Sequence, residues 1–317
     1  MKKLILNSGE KALLAVLFKS SNKSITRELV EKEAEYWKLE NHQELINSLL
    51  EKSMLRELNG EFVFTKAGLK EGEKCNAEFM KQGFDEGFLK HYKSKAYRKF
   101  CKEVYGTDMF LYSMINKHQI EKLEEAADFK NTDKVLDIGC GPGEMLEYLF
   151  DKYFFKATGI DFAPGTIQSA NERVKDKSGI KYLEMDIRNL NRLRKKFTKI
   201  IAVDSLYFNK DKEKTVGHII GLLEENGSAF IFYTDLINSG RKKFSGILEN
   251  LNLDYRKFDF TAEEKNHWIN TKAVAEKYKQ EFENENNLKI YEERISEADD
   301  VMKSEYERYL YVIKKKN

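Results

Sequence analysis

From Lys134 onward, short apolar runs alternate with amphipathic stretches, and this alternation predicts the fold. The runs 134–138 (KVLDI), 155–160 (FKATGI), 180–185 (IKYLEM), 198–203 (TKIIAV) and 228–234 (SAFIFYT) have strand length. Helical periodicity fills the gaps at 143–152, 164–175, around 189–196, 211–224 and 240–251. Strands apolar on both faces, each followed by a helix, imply a parallel sheet covered on both sides, a doubly wound α/β domain. Two more runs, 254–260 and 308–314, complete a seven-stranded sheet. Between them lies a helical insertion, 261–304, with Trp268, Ala275, Tyr278 and Phe282 spaced as one apolar stripe.

Ahead of this alternation the pattern differs. Leu13, Leu14, Val16, Leu17 and Phe18 predict a first helix, Ser24 is placed to cap a second through about Glu35, and Leu45, Ile46, Leu49 and Leu50 mark a third. Residues 54–58 and 61–65 flank Asn59-Gly60, a tight-hairpin signal. Three helices and a hairpin over residues 1–75 read as a winged-helix-like domain. Its candidate recognition helix, 41–52, carries Glu44 and Glu51 against one lysine, and residues 1–75 hold 13 Lys and Arg against 12 Asp and Glu. DNA binding needs several phosphate-neutralising cations on one face. Packing or homodimerisation is therefore the expected role, with a substrate cap as the alternative, and no nucleic-acid partner is expected. Residues 76–130, with Phe79, Phe84, Phe88, Tyr92, Tyr97, Phe100, Tyr105, Phe110 and Tyr112, read as an aromatic helical connector and substrate cap leading into the domain 131–317.

Composition narrows the classes. The chain of 317 residues is 34% charged, with a net charge of +2 and 2 prolines, which fits a helix-rich globular protein and gives no global electrostatic case for nucleic acid. Cys75, Cys101 and Cys140 show neither a disulfide framework nor metal-ligand spacing, so no metal is expected. The apolar start is interrupted from Asn7 to Lys11, and no run reaches membrane-spanning length, so a cytoplasmic location with no membrane partner is expected.

The chemistry concentrates at the strand ends. Asp137-Ile138-Gly139-Cys140-Gly141-Pro142-Gly143-Glu144 lies at a strand-to-helix junction, where doubly wound folds bind ligands. A dinucleotide GxGxxG would place its third glycine at 144, which is Glu; the register D-x-G-x-G-x-G favours S-adenosylmethionine over a nicotinamide cofactor. The next strands end in Asp161-Phe162, in Asp186-Ile187, and in Asp204-Ser205-Leu206-Tyr207-Phe208. A carboxylate at the second strand end can accept both ribose hydroxyls. One at the third can take the adenine amino group, with Ile187 lying against the ring, and the fourth points toward the reacting end of the cofactor.

VLDIGCGPGEMLEYL, GIDFAPGTIQSAN, EMDIRNL and GSAFIFYT resemble the motifs of class I S-adenosylmethionine-dependent methyltransferases over roughly residues 113–260 and 306–315. The resemblance implies that Asp137, Gly139, Cys140, Gly141 and Gly143 surround the methionine portion, that Asp161 binds ribose, and that Asp186 with Ile187 binds adenine. It also implies a Rossmann-like sheet and a small-molecule acceptor. The histidine-centred motif of plant-type small-molecule O-methyltransferases is replaced here by Phe232-Tyr233-Thr234-Asp235. Tyr207 and His118 are the expected residues near the transferred methyl group. Trp268 and His267, in a lid-like helix over 261–286, are expected near the acceptor.

Overall fold

The computed structural model describes residues 5–20, 25–209, 211–237 and 242–315, which form two compact units, Met1–Phe84 and Asp85–Asn317. In the first unit, helices α1 (Ser8–Ser20), α2 (Arg27–Tyr36) and α3 (His42–Glu51) precede a hairpin of β1 (Leu55–Leu58) and β2 (Glu61–Phe64). Leu13, Leu14, Val16, Leu17, Ile46, Leu49 and Phe62 are all buried in its core. Asn59 and Gly60 take φ of 52° and 81°, the left-handed pair that a two-residue hairpin turn demands. Asn7 and Glu10 cap the start of α1 reciprocally, each side chain accepting the other's backbone N–H, and buried Glu10 is neutralised by Lys52 at 2.6 Å. Ser24, the expected cap of α2, lies outside the described residues; Thr26 fills that role, accepting from the Leu29 N–H. Helix α4 (Lys66–Tyr92) contains both the expected boundary at residue 75 and the division between the two compact units after Phe84.

In the second unit, α5 (Lys95–Tyr105) and α6 (Lys117–Ala127) lead into β3 (Lys134–Ile138), α7 (Glu144–Tyr153), β4 (Lys156–Asp161), α8 (Pro164–Arg173) and β5 (Ile180–Glu184). Then come β6 (Phe197–Val203), α9 (Lys212–Leu222), β7 (Leu223–Leu236), α10 (Phe244–Asn250) and β8 (Tyr255–Asp259), followed by α11 (Thr261–Asn284), α12 (Leu288–Met302) and β9 (Tyr306–Lys314). The expected helix near 189–196 is a short 3₁₀ turn, Ile187–Arg192, opened by the Asp186 side chain, which accepts from the Arg188 N–H. The insertion splits into two helices that pack on each other and, through α11, on α5.

The seven strands lie in the order β5-β4-β3-β6-β7-β9-β8, parallel except for β9, which runs antiparallel to both neighbours. Period-two alternation sends Leu136, Ile138, Ile200, Ala202, Ala229 and Ile231 to one face, where Val216, Ile219, Phe244 and Leu248 from α9 and α10 cover them. Residues 135, 201, 230, 232, 310 and 312 are buried on the other face. This is the doubly wound α/β sheet that the alternation predicts. Among the described residues, no helix is long and apolar enough to cross a membrane.

Candidate cofactor and methyl-transfer site

Strand order reverses between β3 and β6, so the connections leaving their carboxyl ends diverge there, the topological switch point at which doubly wound folds form a ligand crevice. The glycine loop forms one lip. Gly139, Gly141 and Gly143 take φ of 74°, 51° and 80°, conformations that side chains resist. Their surroundings differ. A Cβ on Gly139 would sit 2.3 Å from the Ser205 Cβ, and one on Gly143 would sit 2.3 Å from the Tyr182 ring, so both are packing glycines. At Gly141 the nearest neighbour is the Phe88 ring at 3.8 Å, which leaves room for a ligand to approach the backbone. Gly139 N and Cys140 N both donate to Ile160 O, stitching the loop to the end of β4.

Asp161 completes that stitch. Its carboxylate is buried and accepts from Gly141 N and Ala163 N, each at 3.0 Å. Burial raises its pKa, and these backbone donors partly offset the rise. Asp137 is 2% exposed; burial, and then the charge of Asp161, push its carboxyl up to about 7. The half-exposed Asp186 carboxylate is forked by Arg188, and Ile187 is packed into the sheet core. Phe162 is half-buried next to Asp161, and the Cys140 thiol donates to Gly141 O.

The other lip is a buried ionic network that the motifs did not disclose. Asp204, in a left-handed turn at φ 50°, is gripped by Arg308 of β9 through Nη1–Oδ1 at 2.8 Å and Nη2–Oδ2 at 3.1 Å. Met114 N and the Tyr207 hydroxyl also donate to it. Arg308 is fully buried, gives Nε to Gln119 Oε1 and Nη1 to Thr234 Oγ1, and lies over the Phe232 ring. Thr234 Oγ1 in turn donates to Glu264, whose carboxyl burial pushes upward. One cue was present: an arginine opening the apolar run RYLYVI must find a counter-charge when the strand is buried.

This network reassigns several expected residues. Burial raises the Tyr207 hydroxyl well above its ordinary pKa, and both of its hydrogen bonds, to Asp204 and from Thr234 N, are internal. Trp268 is 1% exposed and gives its indole N–H to Glu264 Oε1, so it packs in the protein interior and presents no open face to an acceptor. His267 is buried against Tyr105; burial, then Arg308 and Arg294, lower its pKa to about 3, and Nδ1 has no hydrogen-bond partner among the described residues. His118 is the clearest departure. Its ring is largely in solvent, bound to Glu263 at 2.5 Å, because the face of α6 that packs inward carries Gln119, Ile120 and Leu123. The structure does not bring His118 into the crevice.

A glycine loop and successive strand-end carboxylates around the switch point of this sheet define a class I, S-adenosylmethionine-binding α/β domain. Residues 135–227 match the methyltransferase domain family, so the chain carries a methyltransferase domain. It is 25% identical over 118 residues to malonyl-[acyl-carrier protein] O-methyltransferase 1 of Ilyobacter polytropus, covering 37% of this chain and 44% of that protein. It is 31% identical over 91 residues to ribosomal RNA small subunit methyltransferase A of Prochlorococcus marinus (strain AS9601), covering 28% and 33%. The chain thus spans less than half the length of either relative. Among solved structures, phosphoethanolamine N-methyltransferase 2 of Haemonchus contortus, in complex with S-adenosyl-L-methionine, superposes with a TM-score of 0.58 at 17% identity, covering 70% of this chain and 60% of that one. That likeness is one of fold.

Proposed function

We propose that the protein is a methyltransferase that moves the methyl group of S-adenosylmethionine to a small-molecule acceptor by in-line displacement. The observation that carries this reading is the arrangement at the switch point: three left-handed glycines, with Asp161 and Asp186 at the next two strand ends. The sulfonium supplies an excellent leaving group, so the protein has chiefly to orient and desolvate, effects worth ~7–11 kcal/mol of barrier. In this reading Asp137 and the loop backbone hold the methionine end, Asp161 the ribose, and Asp186 with Ile187 the adenine.

The relatives act on different acceptors, malonyl-[acyl-carrier protein] in one case and a ribosomal RNA in the other, so their likeness supports the cofactor and leaves the acceptor open. Two observations favour a small acceptor. Residues 110–114 are tied to both lips of the crevice, and the first turns of α11 reach the carboxyl end of β7 through Glu264 and Thr234, covering the reacting end with protein. The net charge of +2 also gives no global electrostatic attraction for an RNA backbone.

Calorimetry with S-adenosylhomocysteine tests the reading. Wild type should bind at micromolar concentration. Asp161→Ala should lose about tenfold to a hundredfold, the worth of a charged hydrogen bond of roughly 1.5–3 kcal/mol. Absence of binding to the wild-type protein would overturn the proposal.

A further inference from the structure

Four residues link the two lips. Phe110 N donates to Glu144 Oε2 at 2.6 Å, and Glu144 is the first residue of α7, directly after the glycine loop. Met114 N donates to Asp204 Oδ2 at 3.0 Å, directly after β6. Residues 110–114 are therefore a strap moored at one end to each side of the switch-point crevice. Each mooring is a carboxylate gripped in two-toothed fashion by an arginine. Arg98 gives Nη1 and Nη2 to Glu144 at 2.6 and 2.9 Å, and Arg308 gives the same pair to Asp204. The middle of the strap is also fixed: Leu111 O accepts from the Tyr97 hydroxyl, and the Tyr112 ring lies against Phe88, whose own ring is the nearest neighbour of Gly141.

We propose that Arg98 and Arg308 are positioning residues that act through Glu144 and Asp204 to hold this strap across the mouth of the cofactor site, and that the two moorings differ in kind. The inference rests on the methyltransferase reading above. Arg308 is fully buried, and separating it from Asp204 would strand a charge in the interior, a cost that keeps this end closed. The Arg98 side chain is 34% exposed, so water can replace its partner. Burial pushes the Glu144 carboxyl up, but the Arg98 fork and the Phe110 N–H outweigh it and hold the group ionised. The glycine-loop end is thus the latch and the β6 end the hinge. Cofactor and product would pass when Arg98 lets go. Tyr112 is held by Phe88 and by its hydroxyl's bond to Glu293, which leaves Ser113 and Met114, each half-buried, as the strap residues to meet the ligand.

Dissociation of S-adenosylhomocysteine, followed by stopped-flow fluorescence alongside thermal melting, reads this device. Arg98→Ala and Glu144→Gln should each speed release about tenfold, the worth of one charge-assisted pair. The double variant should be no faster than either single one, because the two residues act as one latch. Lys272→Ala, which breaks a surface ion pair with Asp299, should leave release unchanged. Arg308→Lys keeps the charge but not the fork, and should weaken affinity while the protein stays folded. Should that variant fail to fold, Met114→Pro removes the N–H at the same mooring and carries the same expectation. Unaltered release in the latch variants, or effects that multiply in the double variant, would overturn the proposal. Wild-type protein that binds no S-adenosylhomocysteine would instead sink the methyltransferase reading itself.

Discussion

Replacing Asp137 by asparagine sets stability against binding, and the sign of each effect follows from burial. The carboxyl is 2% exposed, beside Asp161, and is pushed from 3.8 up to about 7. An unfolded chain releases this proton near its ordinary pKa, so between about pH 4 and pH 7 the folded protein holds more protons than the unfolded one. Stability therefore falls as pH rises through that window and levels off above it. At 1.36 kcal/mol per pH unit, the charged carboxylate costs the ligand-free fold up to ~4 kcal/mol at pH 8. Asparagine has nearly the same shape and no charge, so Asp137→Asn should melt higher than wild type at pH 8 and about equally at pH 4. Loss of the charge should also weaken S-adenosylhomocysteine by about tenfold to a hundredfold if the group faces the ligand's ammonium. Calorimetric melting across pH, with titrations at pH 8, measures both. A variant that melts lower at pH 8, or that binds as tightly as wild type, would refute the reasoning, since a purely structural aspartate would lose stability and leave affinity alone.

The glycines divide by environment. Gly139→Ala should destabilise the fold most, because its Cβ would meet Ser205 at 2.3 Å on top of the strain of a left-handed φ, whereas Gly141→Ala, with Phe88 at 3.8 Å, should cost only that strain of about 1–2 kcal/mol and leave a folded protein with poor cofactor affinity. Equal melting losses at both positions would show that the loop is not assigned correctly. Trp268→Phe removes one donor to buried Glu264 and should cost about 1–3 kcal/mol of stability in denaturant melts, with S-adenosylhomocysteine affinity unchanged. A change in affinity there would restore the tryptophan to the ligand site.

Legibility followed the range of the interactions involved. The sheet could be read from sequence because each strand is a local apolar run and each glycine or strand-end aspartate sits in a local turn. Residues 137–143, 161 and 186 needed only their neighbours to be placed. The helix near 189–196 was overextended because Asn189 and Asn191 favour turns, and it closed as a 3₁₀ segment. The ionic network of the other lip was not legible. Arg308 meets Asp204 across 104 residues, and Glu264 meets Thr234 across 30, distances at which spacing carries no signal. Tyr207, Trp268 and His118 were assigned by chain position, but the first two spend their polar atoms inside that network and the third turns outward.

The placement of β9 constrains the order in which the protein can be assembled. Among the described residues, β8 has its register partners on β9 alone, and β9 slots between it and β7. As the chain leaves the ribosome, β8 emerges without a neighbour and must wait for α11 and α12 to be made before its partner arrives. Until then the outer edge of β7 is bare, a template for pairing with another molecule. Asp204 also waits unneutralised for the arginine that β9 delivers. The late strand therefore covers the β7 edge and neutralises Asp204 in one event, and any lesion that slows its docking exposes both at once.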